Sequence, residues 1–206
     1  SGNSFKENSL IKIKKLHPQW VSRGAFKLLK AIDHFGIDIK NKTCLDIGSS
    51  TGGFTEVLLK KNAKKIYSID VGTNQLHEKL RKEKKIISIE NFNAKYLDKS
   101  IIHDKIDIVV CDVSFISLTK VIEPSLKLVS TNAEIIALIK PQFETKKMNL
   151  KKGIVKDSLI HKQVCTQISD WFKAKINTKV VGLVESPITG PKGNIEFLIY
   201  CILKKS

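Results

Sequence analysis

The sequence is short of carboxylates and of arginine, has no paired cysteines, and has no long apolar run. Each shortage removes a class of protein. Twenty Asp and Glu stand against 36 Lys and Arg in 206 residues, leaving a formal charge of +16. Such an excess favours a polyanionic partner, RNA, DNA or an anionic membrane surface. Arginine occurs only as Arg23 and Arg81, while Lys, Ile and Asn are plentiful, so biased genome composition is a second source of the charge. Cys44, Cys111, Cys165 and Cys201 lie far apart with no CxxC pair, which argues against a disulfide framework or a zinc site. Buried free thiols in a reducing cytoplasm are expected, with no metal. No stretch approaches the ~18 apolar residues of a membrane span, and the N-terminus lacks the apolar core of a signal peptide. Stable membrane association is therefore not expected. A hydrophobic content of 42% with 27% charged residues is that of a globular chain rather than a disordered one.

What is present reads as one α/β domain. The opening SGNS resembles the scar of a cleaved tag, residues 5 to 20 read as a basic arm, and the domain is expected over 21–206. Phe26, Leu29, Ile32 and Phe35 are spaced as one face of a helix that carries Lys27 and stops at Gly36. Strands are expected at 43–47, 65–70, 86–90, 106–112, 134–140, 178–184 and 196–203, with helices at 54–61, 74–81, 118–128 and 161–174. Apolar strands alternating with helices imply a parallel sheet covered on both faces. Only SPITGPKGN separates the last two strands, too little for a crossover helix, so they pair antiparallel or lie apart. Seven strands, mostly parallel with the last reversed, form the Rossmann-like arrangement of class I S-adenosylmethionine (SAM) dependent methyltransferases.

The stretch LDIGSSTGGFTEVLL, residues 45 to 59, narrows the ligand. A phosphate-binding P-loop needs Lys then Ser or Thr after its last glycine, where this chain has Phe54 and Thr55. A dinucleotide site needs GxGxxG, whereas the glycines here are Gly48, Gly52 and Gly53, and Asp46 stands where a pyrophosphate would be repelled. SAM carries a cationic sulfonium and an ammonium in place of phosphates, so a carboxylate beside a close glycine turn suits it. Ser49, Ser50 and Phe54 of the same loop are further candidate contacts. Asp70, followed by Val71 after the second strand, is placed to accept from ribose hydroxyls. Asn93 is a candidate for the adenine, and Asp112 ends the fourth strand in the same crevice.

Three cationic or acidic side chains remain as candidates for chemistry: Lys27, Lys140 in IKPQFE, and Glu196. Lys140 follows EIIALI directly and Pro141 fixes the chain beyond it, which places its ammonium over the crevice. DVSF, 112 to 115, has Val113 and Ser114 where methyltransferases acting on exocyclic base nitrogens usually carry two prolines, which argues against that class.

Taken together, VSRGAFKL, CLDIGSSTGGFTEVLL, DVSFISL, IKPQFE and SPITGPKGNIEFL resemble the hemolysin A (TlyA) family of FtsJ-like RNA methyltransferases, from about Val21 to the C-terminus. The resemblance implies SAM-dependent 2'-O-methylation of cytidine in ribosomal RNA of both subunits by a tetrad, which falls on Lys27, Asp112, Lys140 and Glu196. Gly24-Ala25 departs from the family's usual Gly-Gly. The resemblance also implies a small N-terminal RNA-binding domain that this chain does not contain, and a partner in ribosomal RNA or ribosomal subunits. Three rival readings stand beside it: a membrane-active hemolysin, a SAM-binding RNA-recognition module without catalysis, and a nicotinamide-dependent oxidoreductase.

Overall fold

The computed structural model describes residues 20–176 and 178–204. The SGNS opening and all of the basic arm except Trp20 lie outside these residues. Seven strands, β1 (Thr43–Ile47), β2 (Lys65–Ile69), β3 (Ile86–Ile89), β4 (Ile106–Cys111), β5 (Val129–Ile139), β6 (Thr178–Glu185) and β7 (Phe197–Leu203), form one sheet in the order β3-β2-β1-β4-β5-β7-β6. Strands β1 to β5 run parallel, and β7 is antiparallel to both β5 and β6. The reversed strand thus lies between β5 and the edge strand β6, and the last two strands do pair antiparallel.

Burial explains why these segments are strands. β1 is buried along its whole length, as a central parallel strand covered on both faces must be. Side chains alternate between two cores. Leu45, Val109, Cys111, Ile135 and Ala137 pack on one face, against Leu118 and Ile122 of α4 (Leu118–Ser125) and Ile168 and Phe172 of α6 (Ser158–Ile176). Cys44, Ile108, Val110, Ile136 and Leu138 pack on the other, against α1 (Ala25–Phe35), α2 (Gly53–Lys60) and α3 (Glu78–Arg81). A single turn, α5 (Pro141–Glu144), follows β5. Among the described residues no helix is long and apolar enough to cross a membrane. All four cysteines are free, with Cys165 only half-buried, and burial pushes their thiols upward, that of Cys165 to about 11.

Several elements differ from their sequence-based expectation. Helix α1 ends at Gly36, which adopts φ 67° and donates to the Ile32 carbonyl. Its buried face is Ala25, Leu28, Ala31 and Ile32, while Phe26, Leu29 and Phe35 are only half-buried. The small Ala25 faces inward because α1 meets α2 closely: a Cβ on Gly53 would lie 3.0 Å from the Ala25 amide nitrogen. This rotation also buries Lys27. Helix α3 starts at Glu78 rather than 74, because Glu90 takes the Asn74, Gln75 and Leu76 amides at 2.8–2.9 Å and holds that stretch out of a helix. Helix α4 stops at Ser125, next to Pro124, whose ring removes a helical donor. Helix α6 extends past both ends of 161–174, and β5 begins at Val129 through a register shift opposite Ile106–Ile108.

Candidate active site

The carboxyl ends of β1, β2 and β4 are tied together by the loop after β1. The Gly48 and Ser49 amides donate to the Ile69 carbonyl, and Asp70 accepts from the Ser50 amide at 2.7 Å and from the Gly72 amide at 2.7 Å. Gly48 has φ 81°, and a Cβ there would lie 2.7 Å from the Asp112 carbonyl oxygen, so no larger residue fits between the two strand ends. Asp46 lies beneath this loop. It is fully buried, its Oδ2 accepts from Thr55 Oγ1 at 2.6 Å, and Thr55 continues to Ser68 at 2.8 Å. Burial pushes its carboxyl up to about 7 against the opposing Thr55 hydrogen bond.

Two cavities open on either side of Gly48, Ser50, Asp112 and Ser114, which line both. The larger, about 420 Å³, has apolar walls from Phe92, Ala94, Ile116 and Val121 and polar groups from Asp70, Asn93 and Asp112. Its lining holds no lysine or arginine, although the chain carries +16. The smaller, about 240 Å³, is lined by Arg23, Lys27 and Lys140 together with Ser49, Gly53 and Phe54. Val71, largely exposed, rims the larger cavity. Asn93 also accepts from the Lys95 amide at 3.1 Å, which fixes its side chain at the start of a 3-10 turn, Ala94–Tyr96. Asp46 and Gly52 line neither cavity. Gly52, at φ 96°, instead faces Leu76 and Leu80, where a Cβ would lie 2.4 Å from a Leu80 methyl.

Lys27, Asp112, Lys140 and Glu196 come from four separate elements and meet beside the smaller cavity, which the first three line and Glu196 supports from behind. Lys27 Nζ lies 2.8 Å from Glu196 Oε2 and 3.2 Å from Asp112 Oδ2, and Lys140 Nζ lies 2.6 Å from Asp112 Oδ1. Asp112 therefore bridges the two ammonium groups. The reversed strand delivers Glu196: because β7 runs opposite to β5, Phe197 pairs with Ile139 and the residues beside them, Glu196 and Lys140, reach the same edge. Glu196 is 1% exposed, and a Cβ on Gly190 would lie 2.1 Å from its Oε1. Only glycine at 190 leaves the carboxylate where it is. Burying Lys27, Lys140 and Glu196 is tolerable because each has an opposite partner within ion-pair distance, with Asp112 half-buried between the two lysines.

Sequence reasoning missed three contributors. Ser114 is read from the sequence only as standing where a proline would, yet its Oγ accepts from Lys140 Nζ at 2.9 Å. Phe115 is 91% exposed at φ 65°, unusual for an aromatic residue, and lies against Phe143 with centroids 5.1 Å apart on the cavity rim. Phe92 walls the larger cavity without any polar cue in its surroundings.

A family model described as FtsJ-like methyltransferase matches residues 20–202. The chain is 44% identical to hemolysin A of Brachyspira hyodysenteriae, over 90% of this chain and 78% of that protein. It is 42% identical to the 23S rRNA (cytidine-2'-O)-methyltransferase TlyA of Campylobacter jejuni, over 93% of this chain and 74% of that one. A solved Lactococcus lactis structure whose description also carries the hemolysin label superposes with a TM-score of 0.87 at 40% identity, covering 90% of this chain and 89% of that chain.

Proposed function

The chain belongs to the FtsJ-like methyltransferase family, and from that premise we propose that it is a SAM-dependent ribose 2'-O-methyltransferase acting on cytidine in ribosomal RNA. The observation that carries the reaction type is the bridged set Lys27–Asp112–Lys140–Glu196 beside a nucleoside-sized cavity. The larger cavity suits SAM: apolar walls accept a planar base, Asp70 retains lone pairs for ribose hydroxyls, and its carboxylate, outside the Lys27–Asp112–Lys140 bridge and with no lysine or arginine in the lining, favours a positively charged ligand. Bound there, SAM would supply an electrophilic methyl group on its sulfonium.

The chain's own residues then act on the nucleophile. Lys140 Nζ donates to Ser114 Oγ and is ion-paired with Asp112, and its remaining donor capacity can hold the 2'-hydroxyl oxygen and stabilise the negative charge that grows on it as the hydroxyl proton is released to solvent. Asp112 fixes that ammonium from below, and Lys27 with Glu196 fixes Asp112. A ribose hydroxyl held this way is oriented for in-line attack, which supplies much of the rate. The cationic mouth formed by Arg23 with Lys27 and Lys140 suits the flanking phosphates, and the 2'-hydroxyl itself distinguishes RNA from DNA.

The test is incubation of the protein with labelled SAM and ribosomal subunits or ribosomal RNA, followed by mapping of the modified nucleotide. Lys140→Ala is expected to lower methyl transfer by about 100-fold or more while SAM still raises the melting temperature. Lys140→Arg, which keeps the charge but not the geometry, should retain only part of the activity. Full methylation by Lys140→Ala would refute the assignment.

A further inference from the structure

Five lysines, Lys146, Lys147, Lys151, Lys152 and Lys156, occupy the twelve residues after α5 with no carboxylate among them. All five are exposed, and none forms an ion pair among the described residues. Exposed lysines without an ion pair also occur elsewhere among the described residues, Lys40, Lys64 and Lys84 among them, but not five within twelve residues, and others are matched. Lys65 and Lys79, for example, lie 2.6 and 2.8 Å from Asp104 and Glu56.

The segment is built rather than loose. Lys151 and Ile154 exchange backbone hydrogen bonds at 2.9 and 3.1 Å, closing a tight turn with Lys152 at φ 54° and Gly153 at φ 83°. Lys192, itself at φ 60°, brings its ammonium alongside: a Cβ on Gly153 would lie 3.4 Å from Lys192 Nζ. Two lysines in left-handed backbone, a conformation that costs about 1 kcal/mol each, are held there by their surroundings. The anchor is Asn194, 3% exposed. Its Nδ2 donates to the Gly153 and Pro191 carbonyls at 3.0 and 3.2 Å, and its Oδ1 accepts from the Val155 amide at 3.1 Å. The Val155 carbonyl pairs with buried His161 at 3.0 Å. Asn194 thus joins the lysine hairpin to the Gly190–Glu196 loop that carries the fourth member of the charged set.

We propose that the 146–156 segment with Lys192 is a rigid docking surface for the phosphate backbone of RNA beside the target nucleotide, and that Asn194 is the positioning residue that fixes it relative to Glu196. The inference rests on the RNA methyltransferase reading. Uncompensated ammonium groups repel one another, and a polyanion removes that cost while releasing its counterions. The hairpin leaves the sheet directly after Lys140 and α5, and Pro191 beside Lys192 lines the smaller cavity, so a strand whose ribose enters that cavity runs past the lysines.

The test compares three variants for Kd on ribosomal RNA and for methyl-transfer kinetics across a salt series. In Lys151→Gln/Lys152→Gln/Lys192→Gln, Kd and KM should rise about tenfold with kcat little changed. The slope of log Kd against log salt should fall by about 2, at roughly 0.7–0.9 for each phosphate that no longer meets an ammonium group. The control Lys40→Gln/Lys64→Gln/Lys84→Gln removes the same charge at the amino ends of β1, β2 and β3 and should leave the salt slope close to wild type. Asn194→Ala keeps every lysine, and should raise Kd and lower kcat while SAM still binds. A hairpin variant with wild-type Kd and slope, or one matched by the control triple, overturns the docking surface; so does a loss of binding confined to anionic phosphatidylserine vesicles. A wild-type protein that binds RNA through these lysines yet transfers no methyl group would instead overturn the catalytic reading alone.

Discussion

Asp46 is fully buried and lines neither cavity. The motif LDIGSS suggests a carboxylate facing the cofactor, but the strand period turns Asp46 inward to Thr55 and Ser68. Its proton then contributes to stability. Burial raises the carboxyl from an ordinary value near 4 to about 7, so the folded chain keeps a proton that the unfolded chain has released between those limits. The associated stabilisation is present below about pH 4 and is lost as pH rises through about 7. Asp46→Asn carries no such proton. Measured by denaturant unfolding, its stability relative to wild type should rise by roughly 2–3 kcal/mol between about pH 5 and pH 8, at ~1.4 kcal/mol per pKa unit. A difference that stayed constant with pH would refute a protonated Asp46. By contrast the convergence of Lys27, Asp112, Lys140 and Glu196 was legible because each adjoins a recognisable strand end or motif. Ser114 and Phe115 were not, because their contacts with Lys140 and Phe143 depend on the path of a loop.

At the level of elements, the strands were legible because double burial makes them continuous apolar runs, and Gly36 marked the end of α1 through its left-handed backbone. The start of α3 was not legible, because it is set by Glu90, beyond the next strand. That carboxylate accepts from three consecutive amides and from Arg81 at 3.1 Å, and the amides, Leu76 foremost, hold its pKa below the usual range. The arrangement has a functional consequence: Leu76 and Leu80 rest on Gly52, so Glu90 supports the glycine loop from one segment away. Glu90→Ala should lower stability by about 1 kcal/mol, chiefly through the part-buried Leu76 amide left without its acceptor. It should also weaken SAM binding measured by calorimetry, with Lys140 and Asp112 untouched. Loss of stability with unchanged SAM affinity would separate α3 from the loop and refute the support. Similarly, the reversal of β7 could be inferred from the short SPITGPKGN connection, but not its place between β5 and β6, which is what brings Glu196 opposite Lys140.

Across the whole molecule the notable property is how unevenly +16 is distributed. The composition suggested a polyanionic partner, yet it could not say that the larger cavity would be kept free of cations while the smaller one, sharing Gly48 and Asp112 with it, would gather Arg23, Lys27 and Lys140. The separation follows from topology: Asp70 and Asp112 end β2 and β4 on either side of β1, whereas the lysines arrive from α1 and from beyond β4 in the sheet order. Its consequence is selectivity among adenosine ligands that runs against the net charge. A nucleoside cationic at its 5' end is attracted by Asp70, the lining carboxylate outside the Lys27–Asp112–Lys140 bridge, while a nucleoside triphosphate placed in the same cavity brings its charge against it. In equilibrium dialysis at about 0.15 M salt, where exposed lysines are largely screened, labelled SAM should be retained and should be displaced by unlabelled SAM but not by ATP at the same concentration. Asp70→Asn, with one carboxylate neutralised, should weaken SAM about tenfold and reduce the discrimination against ATP, since each tenfold corresponds to about 1.4 kcal/mol of lost interaction. Equal displacement by ATP and SAM in the wild type would show that the cavity reads the adenosine alone, and that its lack of cations plays no part in choosing the ligand.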